Sequence, residues 1–149
     1  MKNKIALVVI LIFSVLQLIS IDKIPFEEPT SSDLFAIEEA PEEVKKLIQT
    51  ICYNCHSNQI VYPWYSNLAP VSWWIQDHID HGRKHLNFSN WAEYTADKKA
   101  HKAEEGYEEV EKEKMPLPSY EFGHSEARLS DEERKLLVDW FKSIESKYR

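Results

Sequence analysis

Cysteine and methionine are both scarce in this chain of 149 residues: there are two of each, and one methionine is the initiator. With cysteine only at positions 52 and 55, no disulfide framework can hold the fold, and a single Cys52–Cys55 bridge is the most the thiols allow. Strand-like alternation is absent at any useful length, and so are internal repeats; the chain reads as helical. Positive charge is in short supply. The 18 Lys and Arg face 25 Asp and Glu, a net −7; without Lys2 and Lys4, 16 basic residues face 25 acidic ones, a net −9. Such a surface repels phosphate backbones and excludes nucleic acid as a natural partner, whereas a basic protein partner is steered towards it.

One long apolar run occurs, Ile5 to Ile19, interrupted by Ser14 and Gln17 and preceded by Lys2 and Lys4. A basic segment ahead of an apolar one marks entry to the secretory route. No small-x-small cleavage site follows, and counting to Ile21 reaches roughly the 17-residue lower limit of a spanning helix. The expectation is a signal anchor over residues 1–21, holding the rest of the chain on the periplasmic side of the cytoplasmic membrane. A cleaved signal peptide, leaving a soluble periplasmic protein, is the alternative. Residues 22–40, with Pro25, Pro29, Ser31, Ser32 and four glutamates, read as an extended linker. Residues 41–149 are then one domain.

The two cysteines stand in Cys52-Tyr53-Asn54-Cys55-His56, a C-x-x-C-H pentapeptide. In an exported chain this pattern reads as covalent attachment of a c-type haem. Two thiols three positions apart reach the two vinyl groups on one porphyrin edge as thioethers, and the adjacent imidazole becomes the proximal axial ligand of the iron. In a simple disulfide the histidine has no role. A thioredoxin-type pair opens a helix after a strand; here the cysteines close a helix, and no β-α-β pattern surrounds them. That helix starts behind Pro41, with Glu42 and Glu43 at its positive end. Its apolar stripe of Val44, Leu47, Ile48, Ile51 and Cys52 delivers the first thiol to the buried side. The loop that follows carries Tyr62, Pro63, Trp64, Tyr65, Ala69 and Pro70, aromatic area that suits covering a haem or packing under the domain's own helices.

A second helix starts near Pro70, with Val71, Trp74, Ile75, His78 and Ile79 on one face and Gly82 as its end. Ser89 or Asn90 caps a third beginning at Trp91, which Gly106 weakens and can break in two. The last is the clearest: Ser130-Asp131-Glu132-Glu133 is a capping box, ahead of a stripe of Leu136, Leu137, Trp140, Phe141 and Ile144. The expected fold is all-α, a cytochrome c-like bundle of four or five short helices around one covalent haem, behind an N-terminal anchor helix.

Met115, in Lys114-Met115-Pro116-Leu117-Pro118, is the expected distal axial ligand, since a proline-stiffened loop can hold a thioether at the iron. A Met that fills a core gap is the structural alternative. His78 and His124 are the competing ligands, and His124, Arg83 and Lys84 are candidates to pair with a haem propionate. The spacing of His78, His81 and His85 also allows a weak zinc or copper site, with Asp77 and Asp80 nearby in sequence.

Several of these segments together resemble the bacterial haem-binding domain family of small exported cytochrome c-like proteins. The matching stretches are Cys52 to Ser57, Tyr62 to Ser66, Ala69 to Trp74, Gly82-Arg83 and Leu86 to Trp91; Met115-Pro116-Leu117, His124, Ala127 and Leu129-Ser130 complete them. The resemblance covers about residues 41–145 and implies a single covalent haem c held by Cys52, Cys55 and His56. The resulting expectation is a membrane-tethered monohaem electron carrier in the periplasm, with redox proteins as partners and no catalytic residues. The alternative is a haem enzyme or sensor, for peroxide or a diatomic gas, with a labile sixth ligand.

Overall fold

The computed structural model describes residues 2–149. The chain is all-helical. Among the described residues there are α1 (Lys2–Leu16), α2 (Leu34–Ile37), α3 (Glu42–Ile51), α4 (Tyr53–His56), α5 (Val71–His85), α6 (Ala96–Glu111), α7 (Pro118–Gly123) and α8 (Asp131–Tyr148), with three short 3-10 turns and no strand. Apart from α1, seven α-helices replace the expected four or five, because segments of four to six residues, invisible to periodicity, account for α2, α4 and α7.

The expected anchor helix is corrected. α1 has 15 residues, about 22 Å at the α-helical rise, against roughly 30 Å of bilayer hydrocarbon. No helix among the described residues is long and apolar enough to cross a membrane. The membrane-anchored localisation that rested on this helix falls with it. α1 stops where it does because Gln17 turns to the domain. Its amide donates to the Ala69 carbonyl at 3.0 Å and accepts from the Ala69 N–H at 3.0 Å. Two residues on, the Trp73 indole donates to the Ile19 carbonyl at 3.0 Å.

Residues 22–40, expected as an extended tether, dock on the domain instead. The Lys23 ammonium donates to Ser66 and Asn67, and the Glu27 N–H donates to the Asn58 carbonyl. Leu34 is fully buried, and Asp33 and Glu38 are buried with it. Those two acids look like solvent charges in the sequence, but they serve as acceptors. Asp33 caps α2 and takes the Tyr53 hydroxyl at 2.8 Å. Glu38 takes the Trp91 indole N–H, the Lys147 ammonium and the Tyr148 hydroxyl. A buried carboxylate is stable only with such partners.

The core is one cluster in which Leu34, Val44, Ile48 and Tyr53 meet Phe88, Trp91 and Ala103 and the α8 residues Leu137, Phe141 and Ile144. α3 begins behind its N-cap Pro41, with Glu42 and Glu43 in its first turn, and buries Val44, Ile48 and Ile51, as its stripe requires. α8 carries the full capping box: Ser130 accepts from the Glu133 N–H while the Glu133 carboxylate takes the Ser130 N–H. α6 lies along α8 in the most extensive helix–helix contact of the molecule. It starts at Ala96 behind a Thr95 cap, later than the expected start at Trp91. Trp91 belongs instead to a 3-10 turn, Phe88–Glu93, capped by Asn87. Gly106 does not break α6, which runs unbroken to Glu111.

Candidate functional site

α3 ends at Ile51, and Cys52 is shared between its C-cap and the start of α4. The Cys52 carbonyl accepts the N–H of Cys55 at 3.1 Å and of His56 at 2.9 Å. This single turn sets residues 52, 55 and 56 at i, i+3 and i+4, on one side of the helix. Ser57, fully buried, closes it by donating to the Tyr53 carbonyl at 2.7 Å and accepting from the Gln59 N–H. Tyr53 fixes the opposite side, stacked between Phe35 and Phe88.

Both thiols are unpaired. Burial pushes the Cys52 thiol up to about 12, with the charge of Cys55 adding to the effect, and burial alone pushes Cys55 up to about 11. At neutral pH both are therefore neutral. A thiol-redox pair depends on the opposite, a lowered thiol pKa and a ready thiolate. A thioether carries no charge, so positions that penalise a thiolate suit it.

His56 has its Nδ1 3.1 Å from the Leu86 carbonyl. A carbonyl only accepts, so Nδ1 carries the proton and Nε2 keeps its lone pair. Burial lowers the His56 pKa against the opposing pull of the Leu86 and Gly82 carbonyls, which keeps the ring neutral. A neutral imidazole oriented by a carbonyl at its second nitrogen is the usual form of a metal-ligating histidine. The Phe88 edge meets the ring at 6.2 Å.

α5 passes directly behind this turn. A Cβ on Gly82 would stand 2.5 Å from the Cys55 carbonyl oxygen. Gly82 was expected to end the helix; α5 instead continues to His85, and the glycine is there so that two backbones can touch. The expected apolar face of α5 is buried only at Ile79, while Val71 and Trp74 are exposed. The helix turns its Ser72 and Ile79 side inward because Gly82 dictates which side approaches α4.

Met115 is half-buried against the core and follows α6, its N–H donating to the Glu109 carbonyl at 3.0 Å. Five residues later Tyr120, on α7, accepts a hydrogen bond from the Asn54 amide at 3.0 Å. The chain after Met115 is thus joined to the C-x-x-C-H turn. His124 stacks on Tyr120 at 4.1 Å; its Nδ1 lies 3.2 Å from the Tyr120 carbonyl and its Nε2 3.5 Å from the Tyr65 hydroxyl. The His78 ring lies 4.3 Å from that of Trp74, with Nδ1 on the Trp74 carbonyl. Among the described residues no group of three His, Cys, Asp or Glu side chains is placed to hold a metal ion, and His81 pairs with Asp77 alone. Arg83 donates to Asn58 at 2.7 Å and keeps a buried Nε without a partner; Lys84 is exposed. Sequence reasoning missed Asn54, Tyr120 and the Leu86 carbonyl. The carbonyl carries no sequence signal at all, and Asn54 sits in a motif position that any residue can fill.

A helical domain that presents two unpaired neutral thiols and an oriented imidazole on one turn has the donor set a covalently held haem requires. The chain belongs to the haem-binding domain family, whose model it matches over residues 11–143. That span takes in residues 22–40, in keeping with their docking on the domain. No curated protein and no solved structure shows a significant match to the chain.

Proposed function

We propose that this haem protein is a monohaem c-type cytochrome that carries electrons. Cys52 and Cys55 hold the haem through thioethers, His56 Nε2 is the proximal ligand and the Met115 sulfur is the distal one. When bound, the haem supplies one-electron exchange between ferric and ferrous iron, and Met/His ligation favours the ferrous state. The observation that carries this reading is the His56 Nδ1–Leu86 hydrogen bond beside two thiols that burial keeps neutral. It gives the motif the tautomer and the charge state that haem c needs. The residues of the chain do the rest: the Leu86 carbonyl orients the imidazole, burial keeps it neutral, and the Asn54–Tyr120 bond joins the segment after Met115 to the motif turn. The net −7 suits a basic redox protein as partner.

The test is the intact mass and the reduced-minus-oxidised spectrum of chain matured in a haem-attaching host. One porphyrin retained through denaturation, lost in Cys52→Ala/Cys55→Ala, supports attachment. A mass equal to the polypeptide sinks it. A ferric methionine charge-transfer band that vanishes in Met115→Ala supports the carrier; a high-spin ferric spectrum that responds to peroxide makes the protein an enzyme or sensor instead.

A further inference from the structure

We propose that Asn54, a spacer residue of the C-x-x-C-H turn, is a positioning residue for the distal side: it pins the segment that holds Met115 to the turn that holds the proximal histidine. The inference rests on the axial assignment above. Asn54 makes two hydrogen bonds of opposite sense. Its Oδ1 accepts the Val61 N–H at 3.0 Å and its Nδ2 donates to the Tyr120 hydroxyl at 3.0 Å. The Val61 N–H can only donate, so the amide orientation follows from chemistry. Tyr120 in turn is fixed to the Met115 segment, since its N–H donates to the Leu117 carbonyl at 2.8 Å. On its other side Met115 is tied to α6 through the Glu109 carbonyl at 3.0 Å. The methionine loop thus has two moorings, one on the α6–α8 core and one on Asn54.

The second mooring matters because α7 has little else beyond the His124 ring at its end, which stacks on Tyr120 and stands 3.5 Å from the Tyr65 hydroxyl. None of its side chains is buried, and Phe122 is 89% exposed. A segment without buried apolar area is held by its hydrogen bonds and opens locally at small cost. Loss of the Asn54 bond therefore loosens the distal loop while the core, to which α7 contributes nothing, stays folded. The same residue lies between the two thiols, so the haem-attachment edge and the distal loop share one side chain.

The experiment compares the full, haem-loaded chain with Asn54→Ala, Tyr120→Phe and Met115→Ala. The ferric methionine charge-transfer band and the carbon monoxide affinity of the ferrous protein are the readouts, with intact mass and thermal midpoint as controls. Asn54→Ala and Tyr120→Phe are expected to keep one covalent haem and a near-native midpoint. Their band weakens, and carbon monoxide binds roughly three- to tenfold tighter, the worth of one hydrogen bond shifted onto the ligand-off state. Tyr120→Phe removes a single hydroxyl and serves if Asn54→Ala matures poorly. A band lost in Met115→Ala but whole in both other variants, with native carbon monoxide affinity, overturns the inference alone. A native spectrum indifferent to Met115→Ala overturns the distal assignment, and the inference with it.

Discussion

The α6–α8 half of the molecule and the α4–α5–α7 half are built on different principles. In the first, Ala100, Ala103 and Val110 on α6 face Leu137, Phe141 and Ile144 on α8, all buried. Apolar area removed from water stabilises this half. In the second, α5 buries only Ser72 and Ile79, α7 buries nothing, and Trp64 is 76% exposed. Hydrogen bonds from Asn54, His56, Asn58 and Arg83 and the backbone crossing at Gly82 hold it together. Trp64 and Trp74, which follow the motif in sequence, stay exposed, while Tyr53 within it and Phe88 beside it are buried. The packed half supplies stability; the polar half carries the two thiols and the oriented imidazole.

Truncating one tryptophan of the apolar core and one of the polar half gives the largest test of that contrast. Trp91, 1% exposed, sits in the core with its indole on Glu38. Trp91→Ala is expected to cost about 3–5 kcal/mol in urea unfolding. Trp64→Ala should stay within about 0.5 kcal/mol. Equal losses would erase the distinction between the halves. Next in size is Gly82→Ala. The added methyl meets the Cys55 carbonyl at 2.5 Å, so α5 must move off the C-x-x-C-H turn. A loss of about 3 kcal/mol is expected, together with a fall in covalent haem incorporation. Native stability and loading in that variant would mean the crossing does not organise the site.

Glu38 links the packed half to the N-terminal segment, and its effect depends on pH. Burial raises its pKa, but the bonds from Lys147, Tyr148 and Trp91 outweigh burial and hold the carboxyl below the usual glutamate value. A group whose folded pKa is depressed stabilises the fold above its unfolded pKa and ceases to do so as pH falls through the folded one. The contribution is therefore full at neutral pH and fades below about pH 4.3. Glu38→Gln should lose about 2 kcal/mol at pH 7, the scale of hydrogen bonds to a charged group, and the gap to wild type should close below pH 4. A gap that persists in acid would show that packing, not charge, is what the substitution disturbs.

Periodicity made the packed half legible. The α3 stripe and the α8 stripe with its capping box are local patterns, and the structure keeps them in place. Within the site, the turn that gathers Cys52, Cys55 and His56 is also local, because five adjacent residues encode it. The polar half was read less well because its reasons are tertiary. Gly82 looks like a helix end until α4 is seen against it. Trp91 draws a helix start forward from Thr95 because an apolar residue in a 3-10 turn resembles one in a first helical turn. Asp33 and Glu38 have the sequence appearance of a solvated tether, and only their partners, up to 110 residues away, explain their burial. The apolar run at the N-terminus met the length rule for a span only when residues past Gln17 were counted, and Gln17 is where the chain leaves the helix to bind Ala69.

A small effect of opposite sign is expected from the other half's glycine. Gly106 lies inside α6 facing Phe141, and a Cβ there would stand 3.4 Å from the nearest ring carbons. That is ordinary contact with a side chain, whereas Gly82 faces a backbone carbonyl. Gly106→Ala reduces the conformational freedom of the unfolded chain and raises helix propensity. It should stabilise the protein by about 0.5–1 kcal/mol, a rise of a few degrees in thermal midpoint, with haem loading unchanged. The two alanine substitutions then move stability in opposite directions, and only one of them touches the site. If Gly106→Ala destabilises instead, the α6–α8 interface is packed more tightly than its distances indicate, and the contrast between the two glycine positions is lost.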